Sequence, residues 1–100
     1  MTQLQMSVVE AVNRIPRGKV LAYGDVGSQI GTSGRQVGQL IKHIDPETFP
    51  WWRVCNKKGE FPIVKRNPMF ENEQRQRLEE EGVPFLESGR VDMVRARLES

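Results

Sequence analysis

Two short segments with helical patterning, residues 23–30 and 34–43, are separated only by Gly31-Thr32-Ser33. No other feature narrows the fold as much. Helices joined by so tight a glycine turn fit a helix-turn-helix. Gly31 ends the first helix, and Thr32-Ser33 offers hydroxyl caps to the second. Asp25 falls in the first turn of the leading helix, where a carboxylate suits the positive end of the helix dipole. Ala22 precedes that helix and cannot accept an amide hydrogen bond. Gly27 costs about 1 kcal/mol against Ala inside a helix. A short or frayed leading helix is therefore expected. In the second helix Val37, Leu40 and Ile41 share a core-facing side, and Gly38 is expected to let the backbone approach the preceding helix.

The flanks supply the rest of a small domain. Thr2 and Gln5 have capping-box spacing, and Leu4, Val8, Ala11, Val12 and Ile15 recur at helical intervals, which predicts a helix over residues 2–14. Pro16 stops it, and Arg17-Gly18 turns the chain into a short extended run, residues 19–22. Residues 45–49 read as a loop, Val54-Cys55 as a short buried strand, Asn56-Lys57-Lys58-Gly59 as a turn, and residues 60–66 as an irregular basic arm. A helix over 71–81, stopped by Gly82, and a short terminal helix within 91–98 complete the pattern. One hundred residues make one domain, 1–100, with one modest core, mainly α with short strands.

The segment Pro50-Trp51-Trp52-Arg53-Val54 resembles the Pro-Cys-His-Arg-Val signature of the O6-alkylguanine-DNA alkyltransferases. Other segments agree with it in order and spacing. Ile15-Pro16-Arg17-Gly18-Lys19-Val20 and Tyr23-Gly24-Asp25-Val26 resemble that family's entry into its helix-turn-helix. Gly34-Arg35-Gln36-Val37-Gly38 resembles its recognition-helix segment, and Arg53-Val54-Cys55-Asn56-Lys57-Lys58-Gly59 its strand and turn. Gln74-Arg75-Gln76 and Leu78-Glu79-Glu80-Glu81-Gly82-Val83 resemble its final helix. The likeness runs over residues 5–83, and the tail 84–100 is weakly similar. It implies the fold of those enzymes' C-terminal DNA-binding domain, a monomeric helix-turn-helix of the winged-helix kind.

Those enzymes flip a damaged guanine out of DNA and move its alkyl group onto the cysteine. Here Trp51 stands at the cysteine position and Trp52 at that of its histidine partner. An indole offers neither a thiolate nor a proton relay. The resemblance is therefore to the alkyltransferase-like members, which recognise O6-alkylguanine in double-stranded DNA without repairing it, and it implies nucleotide excision repair proteins as partners. It implies no cofactor and no metal.

The same resemblance assigns roles. Arg35, early in the recognition helix, enters the duplex through the minor groove and fills the gap left by the flipped nucleotide; its guanidinium is planar, always charged and able to stack. Ser33, Gly34 and Gln36 lie beside it, and the small residues permit close approach to the groove. Tyr23 rotates the 3′ phosphate and lines the base pocket. Trp51 lines the pocket with a π-face. Pro50 keeps the preceding segment rigid, and Arg53 braces the loop by hydrogen bonds to backbone carbonyls. Trp52 faces either the pocket or the core. Lys65 or Arg66, at the end of the basic arm, helps close the pocket.

Charge distribution suits a polyanion. Residues 1–66 hold ten Lys and Arg against five Asp and Glu, whereas residues 67–100 hold five against eight. No apolar run approaches the about 20 residues of a membrane span, no secretory pattern opens the chain, and a cytoplasmic, DNA-associated location is the default. The single cysteine, Cys55, lies four residues after Trp51 with no activating neighbour in sequence and reads as a small buried hydrophobe. His43 reads as a surface residue at a helix end. Two alternatives stay open: a helix-turn-helix regulator reading the major groove, and a methyltransferase using Cys55.

Overall fold

The computed structural model describes residues 1–61 and 68–99. The chain runs through α1 (Gln3–Asn13), β1 (Leu21–Ala22), α2 (Tyr23–Ile30), α3 (Gly34–Ile41), β2 (Val54–Cys55), α4 (Pro68–Glu80) and α5 (Met93–Ala96), with single 3-10 turns at Pro46–Thr48 and Trp51–Arg53. Residues 62–67 lie outside the described residues, and with them most of the basic arm, including Lys65 and Arg66.

Helix α1 begins as its sequence dictates. The Gln5 amide donates to Thr2 Oγ1 at 3.1 Å, and the Thr2 amide donates to Gln5 Oε1 at 2.8 Å. Val8, Ala11 and Val12 on its inner face are buried, with Ile15 just beyond. Burying each large aliphatic side chain contributes about 1.5–3 kcal/mol, so this stripe fixes α1 across α2 and α3.

The α2–α3 pair departs from expectation in two ways. Helix α2 is continuous from Tyr23 to Ile30, not frayed. The turn after α2 requires a glycine at position 27: a Cβ there would lie 2.7 Å from the Thr32 carbonyl oxygen and 2.8 Å from the Ser33 carbonyl carbon. The turn folds back tightly, with the Thr32 amide donating to the Gly27 carbonyl at 2.8 Å. Ala22 makes no side-chain cap, but Asp25 supplies the reciprocal half of a capping box, its Oδ2 accepting from the Ala22 amide at 3.0 Å. The close approach expected at Gly38 occurs instead at Gly34, where a Cβ would meet Gly24 N at 2.7 Å; Gly38 has open space.

Strands β1 and β2 pair in parallel, Leu21 beside Val54 and Ala22 beside Cys55. This short ribbon separates two apolar clusters. Leu21 and Val54 face the first, built from α1, α2, α3, Phe49 and Trp51. Val20 and Cys55 face the second, with Phe61, Leu78, Val83, Val91 and Ala96. Successive strand residues point to opposite sides, and Trp52 packs against both clusters.

The remaining segments differ in detail from the sequence reading. Residues 46–48 form a 3-10 turn rather than an open loop, because Asp45 Oδ1 accepts from the Glu47 amide at 3.0 Å. Helix α4 starts at Pro68 instead of about residue 71. The terminal helix is one turn, after which the Leu98 amide donates to the Val20 carbonyl at 2.9 Å and docks the tail beside β1.

Candidate nucleic-acid interface

Ser33 starts α3 by accepting from the Gln36 amide at 3.1 Å. Arg35 and Gln36 in the first turn are exposed, as is Ser33. The close contact between Gly34 and Gly24 ties this helix start to the start of α2. The exposed cation therefore stands on a rigid base rather than on a loop.

Tyr23 opens α2 and is 9% exposed, in the same apolar cluster as Trp51. Burial pushes its phenol well above the ordinary value, and the neighbouring Cys55 adds to the shift. The hydroxyl stays protonated and remains a donor. It lines a cavity of about 660 Å³ with Gly24, Asp25, Asn56, Lys57 and the α5 segment. Arg97 pairs with Asp25 at that cavity, its Nε donating to Oδ2 at 2.9 Å. That bond holds the Asp25 carboxyl below the usual range, against a smaller desolvation effect.

Trp51 occupies the first position of the 3-10 turn after Pro50, which is buried. Its ring stands between two cavities. One, of about 140 Å³, is lined by Ile41, Lys42, Ile44, Pro46, Phe49, Phe70 and Trp51. It is apolar except for Lys42 and opens at the C-terminal end of α3. The other, of about 820 Å³, is open and adds Trp52, Arg53, Glu73 and Arg77 to the shared aromatic wall. Trp52 and Phe70 each meet the Trp51 ring edge-on at 6.0 Å between centroids, a favourable aromatic geometry. Neither cavity reaches Tyr23 or Arg35 among the described residues.

Trp52 lines the larger cavity and packs on the core. Its Nε1–H donates to Glu81 Oε2 at 3.0 Å. The same carboxylate accepts from Arg53 Nε at 3.0 Å and Nη2 at 2.7 Å, while Arg53 Nη1 donates to the Ile15 carbonyl at 2.8 Å. Arg53 thus braces the loop chiefly through a carboxylate, with one backbone carbonyl instead of several. Burial pushes the Glu81 carboxyl up, but the hydrogen bonds from Arg53 and Trp52 more than reverse this and leave it below the usual range.

Cys55 is fully buried, and its thiol, pushed up to about 12 by burial and secondarily by Asp25, donates to the Leu21 carbonyl at 3.9 Å. His43 is exposed. Among the described residues no group of three His, Cys, Asp or Glu side chains is placed to hold a metal ion, and no helix is long and apolar enough to cross a membrane.

Glu81, Gln74, Phe70 and Lys42 were not singled out by sequence reasoning. Gln74 is the one buried polar residue among those described, and its Nε2 donates to the carbonyls of Trp52 at 3.2 Å and Val54 at 2.9 Å. A glutamine in the family-like Gln74-Arg75-Gln76 run was the available signal. Glu81 is one of three consecutive glutamates, and nothing local separates it from Glu79 and Glu80.

A sequence profile of the 6-O-methylguanine DNA methyltransferase DNA-binding domain matches residues 3–83. The chain belongs to this family. Alkyltransferase-like protein 1 of Schizosaccharomyces pombe is 42% identical over 93 residues, a stretch that covers 88% of this chain and 83% of that protein. A DNA base-flipping protein of Escherichia coli is 39% identical over 93 residues, 90% of this chain and 70% of its own. The crystal structure of S. pombe Atl1 in complex with damaged DNA containing O6-carboxymethylguanine superposes with a TM-score of 0.82 at 38% identity, covering 100% of this chain and 98% of that one. The likeness to the S. pombe structure thus extends beyond the residues 3–83 that the family profile matches.

Proposed function

We propose that this protein is a non-enzymatic sensor of O6-alkylguanine in double-stranded DNA. It binds the minor groove through α2 and α3 and extrudes the damaged nucleotide. Arg35 fills the vacated stack, Ser33, Gly34 and Gln36 border the groove, and the Tyr23 hydroxyl engages the backbone phosphate. Trp51 receives the base against its ring, with Lys65 or Arg66 of the arm beside it. A lesion held in this way and left unrepaired needs another pathway, and nucleotide excision repair in the cytoplasm is the one the family resemblance implies.

One observation carries the reading. The residue at the nucleophile position, Trp51, walls an apolar cavity at the end of the recognition helix, while the sole thiol, Cys55, faces the opposite apolar cluster. A thiol pushed up to about 12 has almost no thiolate at neutral pH, and β2 aims it away from Trp51. This supports binding without transfer.

Two measurements on the same duplexes test the proposal. Titration with a duplex carrying O6-methylguanine is expected to give tighter binding than with guanine, weakening as salt rises because phosphate contacts release counterions. Intact mass after incubation is expected to be unchanged. Equal affinity for both duplexes at every salt concentration rejects lesion sensing, and a methyl gained on Cys55 rejects the absence of transfer.

A further inference from the structure

The cavity beside Tyr23 gathers charged side chains from three separate segments. Asp25 of α2, Lys57 of the turn after β2 and Arg97 of the tail all line it. Gly24 lines it as well, and Gly24 packs on Gly34, so the cavity adjoins the start of α3 with its exposed Ser33 and Arg35. Tyr23 is 9% exposed, yet its hydroxyl has no hydrogen-bond partner among the described residues. A bare carboxylate here would repel a nucleic-acid backbone. Arg97 covers it: Nε donates to Asp25 Oδ2 at 2.9 Å and Nη2 donates to Oδ1 at 2.5 Å. That pairing leaves both N–H groups of Nη1 and one of Nη2 free, on a side chain that is 56% exposed. The tail is anchored on either side of it. The Val20 amide donates to the Ala96 carbonyl at 3.0 Å, and the Leu98 amide donates to the Val20 carbonyl at 2.9 Å.

We propose that this cavity is a backbone-phosphate subsite in which Arg97 bridges the Asp25 carboxylate to a phosphodiester oxygen of the duplex and Lys57 supplies the second cation. The proposal rests on the duplex-binding reading above and adds to it a contact made by the tail. Two cations and one carboxylate leave one net positive charge in the cavity, which matches a single phosphodiester. A guanidinium presents its N–H groups as a planar fork that suits phosphate oxygens, and a carboxylate holding one edge aims the other. Asp25 is therefore a positioning residue. It orients Arg97 while its Oδ2 also holds the Ala22 amide at the start of α2. The tail, which closes the ribbon beside β1, thereby becomes part of the interface that α2 and α3 begin.

The test measures affinity for O6-methylguanine and guanine duplexes over a range of salt, with circular dichroism and thermal melting of each variant in parallel. Arg97→Gln is expected to weaken binding to both duplexes about tenfold, the scale of a charge-assisted hydrogen bond. The ratio between the duplexes should stay within about twofold, because a phosphate contact carries no information about the base. Asp25→Asn combined with Arg97→Gln separates bridging from simple neutralisation. The double variant is expected to recover only part of the loss, and its plot of log affinity against log salt should be shallower than the parent's by about 0.9, the value of one phosphate. Lys57→Gln, at an exposed turn position, should also flatten the plot, and it keeps the test alive if the Arg97 variants unfold. A double variant with the parent's affinity and slope shows that Arg97 only cancels Asp25 and overturns the bridge. A Lys57→Gln slope equal to the parent's overturns the subsite. A parent that shows these salt effects but no lesion preference overturns the sensing reading and leaves the subsite standing.

Discussion

The α2–α3 pair and the Pro50–Val54 segment are held in opposite ways. The pair is closed by neighbours in sequence. Thr32 bonds back to Gly27, Ser33 caps Gln36 three residues on, and Gly34 packs on Gly24. The segment is closed by distant partners: Arg53 reaches the Ile15 carbonyl 38 residues away and Glu81 28 residues away, and Gln74 reaches back 20 and 22 residues. If the pair meets the duplex as proposed, it meets the same geometry each time and can be a self-contained local unit. The Trp51 wall, proposed to discriminate one base from another, is positioned by α1, α4 and the ribbon together. Sensitivity to mutation should divide along the same line.

The largest effect is expected where distant partners converge. The Glu81 and Arg53 side chains are 5% and 15% exposed. Removing one member of a buried pair leaves the other charge uncompensated, at a cost of about 3–5 kcal/mol. Glu81→Ala should therefore approach the whole stability of a small domain, read as the midpoint of urea unfolding. The pH dependence carries the same signature. The Glu81 carboxyl is lowered in the folded state, so its contribution is complete above the unfolded value of about 4.3 and is lost as pH falls through the folded one. Asp25, lowered by Arg97, acts in the same window. Glu81→Gln should flatten the loss of stability below about pH 4 without abolishing it. A Glu81→Gln curve as steep as the parent's would assign the acid sensitivity to Asp25.

Legibility followed the same division. The Thr2–Gln5 box, the Ser33 cap, the Gly31 stop and the strand at Val54-Cys55 are set by residues within a few positions and were readable. So was the burial of Cys55, since its neighbours offer no activating group. The Asp45 side-chain bond that makes 46–48 a 3-10 turn is local too, but one aspartate before a proline leaves several turn conformations open. The role of Glu81 was not readable, because Glu79, Glu80 and Glu81 are equivalent until the turn that ends α4 directs the last of them toward Trp52. The glycines mark the boundary. Their helical cost was readable, but which of Gly27, Gly34 and Gly38 meets another backbone depends on the crossing of α2 and α3.

Gly27→Ala probes the locally closed region with an effect of intermediate size. Helix propensity alone favours the substitution by about 1 kcal/mol. The added methyl would overlap the backbone of Thr32 and Ser33, and backbone cannot move aside as a flexible side chain does. Overpacking of this kind costs about 1–3 kcal/mol, so net destabilisation is expected, read as a lower melting temperature. A stabilised Gly27→Ala variant would show that the turn yields and that the pair is less rigid than its geometry implies.

Arg35→Ala should have the smallest effect on the fold and a clear one on recognition. The side chain is exposed in the first turn of α3, and exposed substitutions of this kind stay within about 0.5 kcal/mol. A flipped base leaves a stacking hole and an unpaired partner worth a few kcal/mol. If the guanidinium fills that hole, its loss should weaken lesion binding about tenfold, on the order of 1.4 kcal/mol. It should also reduce the fluorescence gain of 2-aminopurine at the flipped position. Arg35→Lys should restore only part of this, because an ammonium keeps the charge but cannot stack as a plane. Weakening by the same factor on damaged and undamaged duplex, with full rescue by Lys, would reduce Arg35 to a phosphate contact. Discrimination would then belong wholly to the Trp51 wall and the helix that braces it.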